Sequence, residues 1–294
     1  MHPKSLGVAV GRPDPFYYDH TKHSGPLQLI KMVVVGLFLF PLRVIVFVMA
    51  FFMMWFTALL ATCCFGDPSL PQSIPVSSFF FRLWARLILL SLGYWWIIVN
   101  GRSDPRARIV VANHPSYVEA FYFAYALLPM PVAKEELVHV PFLGTIAKYV
   151  QAIAVKRDAS DSRQSVADEI KRRARWGLDG GETGQWPPLL IFPEGMCVNS
   201  SCVLDFKLGA FAPLVDVQPI VIDVRQSALD VSWVGNSSIA CTTIRMMCQV
   251  YNRMEISYLP LIGPGDDGAR GFADRAQAHV ANGLRVECCS PPAP

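Results

Sequence analysis

The sequence predicts an α/β protein with a mixed, largely parallel central sheet flanked by helices. An N-terminal membrane-embedded helical module is expected to precede it. Three observations carry this reading. Residues 32–65 are almost wholly apolar, with Arg43 as their single charge. From about residue 101 the pattern alternates strand, helix, strand, helix, as α/β domains do. The 294 residues are 52% hydrophobic and only 17% charged, well below the roughly 25% charged of an ordinary soluble domain. The expected division is residues 1–100 for the membrane-anchoring helices, 101–286 for the α/β domain and 287–294 for a tail.

As one helix, residues 32–65 would reach about 50 Å, against roughly 30 Å of bilayer hydrocarbon. Pro41 and Arg43 are therefore expected to divide the segment, leaving residues 44–65 to cross. A second apolar run, 83–99, is just long enough to cross or re-enter, with Trp84, Trp95 and Trp96 as interface anchors. Residues 66–78 between the runs hold no Lys or Arg, whereas Lys22, Lys31, Arg102, Arg106 and Arg108 flank the outer ends. The positive-inside rule reads this as a hairpin with both ends cytosolic. A pair of re-entrant or monotopic helices is the alternative, and either puts the rest of the chain on the cytosolic side.

Beyond residue 101, IVVAN (109–113) reads as a buried strand and AFYFAYALL (120–128) as a buried helix. Residues 131–137 and 152–157 read as short strands around a helix at 140–150. Residues 160–176 form a charged surface helix. LLIFPEG (189–195) is a buried strand entering a turn, and 217–224 is a further strand. In such sheets ligands favour loops at the carboxyl ends of strands. His114, Arg157 and Glu194 each stand just past a strand end.

NHPSYVEA (113–120) places a carboxylate five residues after a histidine. Ser116 to Glu119 also fits the capping box, Ser/Thr-x-x-Glu, at the start of a helix. Glu119 thus has two candidate tasks: closing the helix start, or orienting the His114 imidazole. A formal charge of +3 gives no reason to expect nucleic acid. No G-x-S-x-G elbow, P-loop or dinucleotide glycine pattern occurs. The eight cysteines are expected to be reduced, and no metal site is expected, since Cys197 and Cys202 lack a nearby histidine. Cys63-Cys64 and Cys288-Cys289 are candidate palmitoylation pairs.

NHPSYVE, residues 134–137 with Arg157 downstream, LIFPEG and VQPI occur in that order. Together they resemble the four blocks of the glycerolipid and lysophospholipid acyltransferase family. DPFYYDH near the start, LFPLR (39–43), EGMCVNSSC (194–202) and FKLGAFAP (206–213) are most similar to the lysophosphatidylcholine acyltransferase branch. The resemblance covers residues 13–286, and the glycerol-3-phosphate acyltransferase branch is closely similar. It implies transfer of an acyl group from acyl-CoA, as co-substrate and without further cofactor, to a lysophospholipid hydroxyl. It makes His114 the general base, Glu119 its orienting carboxylate, and Arg157 the binder of the acceptor phosphate. Pro193, Glu194 and Gly195 would shape the acceptor site, Lys134 and Lys207 would meet phosphates, and Pro219 would line the acyl path. Membrane lipids are the expected partners, and the endoplasmic reticulum the expected compartment.

The sequence departs from the family pattern at two positions. Glu119 stands where the family has aspartate, and Met196 where it usually has threonine. These changes keep a second class open, a non-catalytic lipid-binding relative with a degenerate site. No EF-hand loop occurs in the sequence, so calcium regulation through such repeats is not expected.

Overall fold

Pro26 stands at the first turn of a helix, where its missing N–H costs nothing, and the apolar run continues that helix to Thr62. This is α1, Pro26–Thr62, in a computed structural model that describes residues 14–19, 25–67, 69–72, 75–155, 160–178, 186–235 and 237–290. At 1.5 Å per residue its 37 residues extend about 55 Å. The expected division at Pro41 and Arg43 does not occur. A proline within a helix forfeits one backbone bond, which membrane helices tolerate. Arg43 is buried rather than marking a helix end. Its guanidinium donates to the carbonyls of Met247 (2.8 Å), Gln249 and Val250 (3.1 Å), and it lies over the Trp95 ring.

The second apolar run is also corrected. Its helix, α2, is Pro75–Ser91, and residues 98–100 belong to the sheet instead. Ala50, Met54, Ala58 and Ala61 of α1 face Phe81, Ala85, Ile88 and Leu89 of α2 in one core. The alanines recur at helical spacing and let the two backbones approach closely. Trp84 donates to Thr57 across this seam at 3.0 Å. Among the described residues only α1 is long and apolar enough to cross a membrane by length and composition. Just 11% of its most apolar window is buried. Leu27, Val33, Leu37, Phe38, Leu42, Ile45 and Met49 lie open along it. An exposed apolar face of this length on a water-soluble surface would be anomalous, and the protein is membrane-associated.

Seven strands form the main sheet among the described residues: β1 Ile98–Asn100, β2 Ile109–Ala112, β3 Met130–Lys134, β4 Ile153–Val155, β5 Leu189–Ile191, β7 Val217–Asp223 and β8 Glu255–Tyr258. Their order is β1-β8-β7-β2-β5-β3-β4, and only the β7–β8 pair is antiparallel. The mixed, largely parallel α/β architecture is as expected. β2 and β5 are buried on both faces, which explains their unbroken apolar runs. One face packs on α1, α2, α3 (Val118–Ala126), α5 (Leu143–Tyr149) and α7 (Ile239–Met247). The other packs on α6 (Ser160–Arg175) and α8 (Gly268–Leu284).

Local expectations shift in two places. The strand expected at 131–137 ends at Lys134, after which α4 (Glu135–His139) takes over. The helix expected at 140–150 is confined to α5. A separate parallel pair joins β6, Val203–Leu204, to β9, Cys288–Cys289. A disulfide beside it links Cys202 to Cys289, with Cα atoms 6.0 Å apart. The expectation that every cysteine is reduced is therefore corrected, and Cys289 is not available for palmitoylation. Cys63 and Cys64 are exposed thiols past the end of α1.

Candidate active site

The parallel strands β2, β5, β7, β3 and β4 bring their carboxyl ends to one edge of the sheet. His114 lies two residues past β2. Asn113 fixes that exit: its side chain donates to Ile222 O and accepts from Ile222 N–H, both at 2.8 Å, on neighbouring β7. The His114 imidazole stacks on Phe192, just past β5, with ring centroids 4.1 Å apart and planes 15° from parallel. Sequence reasoning passed over Phe192. Its signal was an aromatic side chain set directly between a buried strand and Pro193.

His114 Nδ1 is 2.6 Å from Glu119 Oε1. The same oxygen accepts the Ser116 backbone N–H at 2.9 Å. Glu119 thus performs both tasks that the sequence left open, closing half of a capping box and holding the imidazole. The reciprocal half is absent, because the Ser116 hydroxyl has no partner among the described residues. Glu119 is fully buried in the first turn of α3, while the His114 side chain keeps 23% exposure. The carboxylate is therefore fixed and dry, and the imidazole is reachable. With Nδ1–H donated to Glu119, the lone pair sits on Nε2.

Glu194 is nearly buried, and neither carboxyl oxygen has a hydrogen-bond partner among the described residues. Burial pushes its pKa up to about 8. The backbone N–H groups of Leu204 and His114 oppose the rise, and the Glu119 charge adds to it. Glu194 is thus a neutral acid at pH 7 and can donate a hydrogen bond. Gly195 follows with φ +74°, and the Lys207 side chain lies against its Cα where a Cβ would stand. The Lys207 N–H also donates to Pro193 O at 2.9 Å. Pro193, Glu194, Gly195 and Lys207 therefore form one cluster beside His114 and Glu119.

Other expected residues lie apart. Lys134 is exposed at the end of β3, two strands from β2 on the same edge. Pro219 is buried in the β7 ladder opposite Val111, which faces the α6 and α8 core. That is the sheet face opposite Phe192, so the structure does not bring Pro219 to the cluster. Arg157 lies outside the described residues. The Asn199 amide donates to Asp14 O and Tyr17 O at 2.9 Å each.

A carboxylate-oriented histidine, an aromatic shelf and a buried neutral acid at the carboxyl edge of a parallel sheet suit proton abstraction from a hydroxyl. Residues 99–227 match the model of the acyltransferase family. It is 35% identical to lysophospholipid acyltransferase LPEAT2 of Arabidopsis thaliana, over 93% of this chain and 50% of that protein. It is 30% identical to lysophosphatidylcholine acyltransferase 1 of Homo sapiens, over 92% of this chain and 51% of that protein. The chain thus spans about half the length of the curated relatives it matches. The crystal structure of the 1-acyl-sn-glycerophosphate acyltransferase PlsC from Thermotoga maritima shares the fold. Its TM-score is 0.51 at 16% identity, over 83% of this chain and 96% of that one. The resemblance read from the four motif blocks holds.

Proposed function

We propose that the protein moves a fatty acyl group from acyl-CoA to the free hydroxyl of a lysophospholipid, with His114 as general base. The observation that carries this is the His114–Glu119 contact at 2.6 Å, which commits Nδ1 and leaves Nε2 for the acceptor. Nε2 takes the hydroxyl proton as that oxygen attacks the thioester carbonyl. Glu119 steadies the imidazolium that forms. The tetrahedral intermediate collapses, the carbon–sulfur bond breaks, and the imidazolium proton goes to the departing CoA thiolate. Glu194, Gly195 and Pro193 shape the acceptor pocket. Lys207 beside them and Lys134 further along the edge are assigned to phosphate groups of acceptor or CoA, as is Arg157 on the strength of the motif alone. Acyl-CoA as co-substrate completes the chemistry.

The test is acyl-CoA consumption by membranes carrying the protein, offered a panel of lysophospholipids and glycerol 3-phosphate. Consumption dependent on a lysophospholipid supports the reading. Preference for glycerol 3-phosphate moves the protein to that acceptor class. Silence on the whole panel makes it a lipid-binding relative whose chemistry has lapsed, the reading that Glu119 and Met196 keep open.

The basic flanks of the apolar region favour a cytosolic catalytic domain, in the endoplasmic reticulum by analogy with the family. The Cys202–Cys289 disulfide is the specific observation favouring the opposite, oxidising side. Protease treatment of sealed vesicles separates the two: digestion of residues beyond 101 means cytosolic, protection means luminal.

A further inference from the structure

Residues 14–19 form a strap across the two loops that flank His114. The first loop, 196–200, reaches His114 through the Val198 N–H, which donates to His114 O at 3.0 Å. The second, 230–235, reaches the next residue through the Trp233 N–H, which donates to Pro115 O at 2.9 Å. The strap grips both. Asn199 donates its backbone N–H to Pro15 O at 3.0 Å and its side-chain amide to Asp14 O and Tyr17 O. On the other side the Tyr18 hydroxyl donates to Asp230 O at 3.0 Å, and the Asp19 N–H to Asp230 Oδ2 at 2.9 Å. Gly235 lets the strap pass close: a Cβ there would stand 2.9 Å from Phe16 O. The carbonyls of His114 and Pro115 are thus each tied to a loop, and both loops are tied to one strap.

We infer that Asn199 and Asp230 are positioning residues for His114, acting through this strap, an inference that rests on the catalytic reading of His114. Neither side chain touches the imidazole. Each fixes one of the two backbone anchors that set where the imidazole stands relative to Phe192 and Glu119.

The isosteric variant Asn199→Asp keeps the side-chain acceptor used by the Ser201 N–H. It removes both amide donors and turns a carboxylate against two carbonyls. Its kcat is expected to fall about tenfold, a fraction of the roughly 10²-fold that a 1 Å misplacement costs, while KM for both substrates stays unchanged. Asp230→Ala should behave likewise. Asp230 accepts the Asp19 N–H on Oδ2 and the Ser232 N–H on Oδ1, so Asp230→Asn, with one acceptor oxygen, can keep only one of the two and should recover only part of the loss. Hydrogen exchange read on the same proteins gives an answer independent of turnover. Loops 196–200 and 230–235 should exchange faster in Asn199→Asp, with the sheet strands unchanged. If wild type is active and Asn199→Asp matches it in kcat and loop exchange, the strap has no positioning role and the catalytic reading stands. If wild type transfers no acyl group, the catalytic reading fails, and with it the positioning role, even where exchange shows that the strap holds both loops.

Discussion

Replacing Glu119 by glutamine separates the two contacts that share one oxygen. The Oε1 atom takes both His114 Nδ1 at 2.6 Å and the Ser116 N–H at 2.9 Å. A glutamine carbonyl can still accept the Ser116 N–H, so the start of α3 keeps its closure and stability should change by less than about 1 kcal/mol. The amide cannot stabilise an imidazolium. Bonds to charged groups contribute about 1.5–3 kcal/mol, against about 1 kcal/mol for neutral ones. Glu119 is fully buried, so solvent screens this charge poorly, and opposite charges about 4 Å apart attract by roughly 4 kcal/mol at an effective dielectric of 20. The imidazolium forms only as the hydroxyl attacks, so the loss falls on kcat. About 3–4 kcal/mol corresponds to roughly 10²–10³-fold. The assay is acyl-CoA consumption at saturating lysophospholipid, with thermal unfolding measured on the same preparations. Turnover by Glu119→Gln within about twofold of an active wild type, under 0.5 kcal/mol, would refute the reasoning and leave Glu119 as a helix cap only. Glu119→Asp withdraws the carboxyl by about one bond length and should cost on the order of 10² in rate. A gain of activity there would mark the native site as lapsed.

The raised pKa of Glu194 makes a signed prediction. Its carboxyl ionises near 4.5 when unfolded and near 8 when folded. The folded state therefore holds an extra proton between these values, and stability falls as pH rises through that window, by on the order of a few kcal/mol. Glu194→Gln should erase this slope, so its melting temperature should gain on wild type from pH 5 to pH 8.5; a constant gap contradicts the burial argument. Gly195→Ala forces a side chain into a left-handed conformation and drives its methyl into Lys207, costing about 1–2 kcal/mol. It should also raise KM for a phosphate-bearing acceptor, and an unchanged KM would remove Lys207 from phosphate binding. Arg43→Met strips its donors from the carbonyls at and just past the end of α7 and should destabilise the protein by about 3 kcal/mol in detergent. An unaltered melting temperature would show that α1 does not depend on that lock.

Strands buried on both faces were legible in the sequence, because only they carry unbroken apolar runs. β2, β5 and β7 fall where those runs are, and His114 and Glu194 follow from their ends. β1 and β8 escaped because they are short and partly exposed, so their side chains lack one clear periodicity. The run 83–99 reads as one apolar segment able to cross or re-enter, whereas its helix ends at Ser91 and residues 98–100 join the sheet, because hydropathy does not separate a face turned to lipid from one turned to a protein core. Ile88 and Leu89 are apolar for the second reason. Arg43 looked like a helix boundary because its partners stand some 200 residues away. Distance in sequence also hid the link between Cys202 and Cys289, 87 residues apart, and the strap between residues 14–19 and the loops at 199 and 230. The pairing of His114 with Glu119 was legible because both lie within one strand-to-helix turn. Whether that pairing served the helix or the histidine was not, since one oxygen serves both.

The most direct test of the account compares wild type with His114→Ala in the same membranes, following labelled acyl groups from acyl-CoA onto a lysophospholipid. The imidazole is partly exposed and its ring is held by Glu119 and Phe192, so alanine should leave the fold intact. The account predicts transfer by wild type and a loss of at least about 10³-fold in His114→Ala, the scale of a missing general base together with its oriented geometry. Undiminished transfer by a folded His114→Ala protein would contradict it and remove His114 from the chemistry.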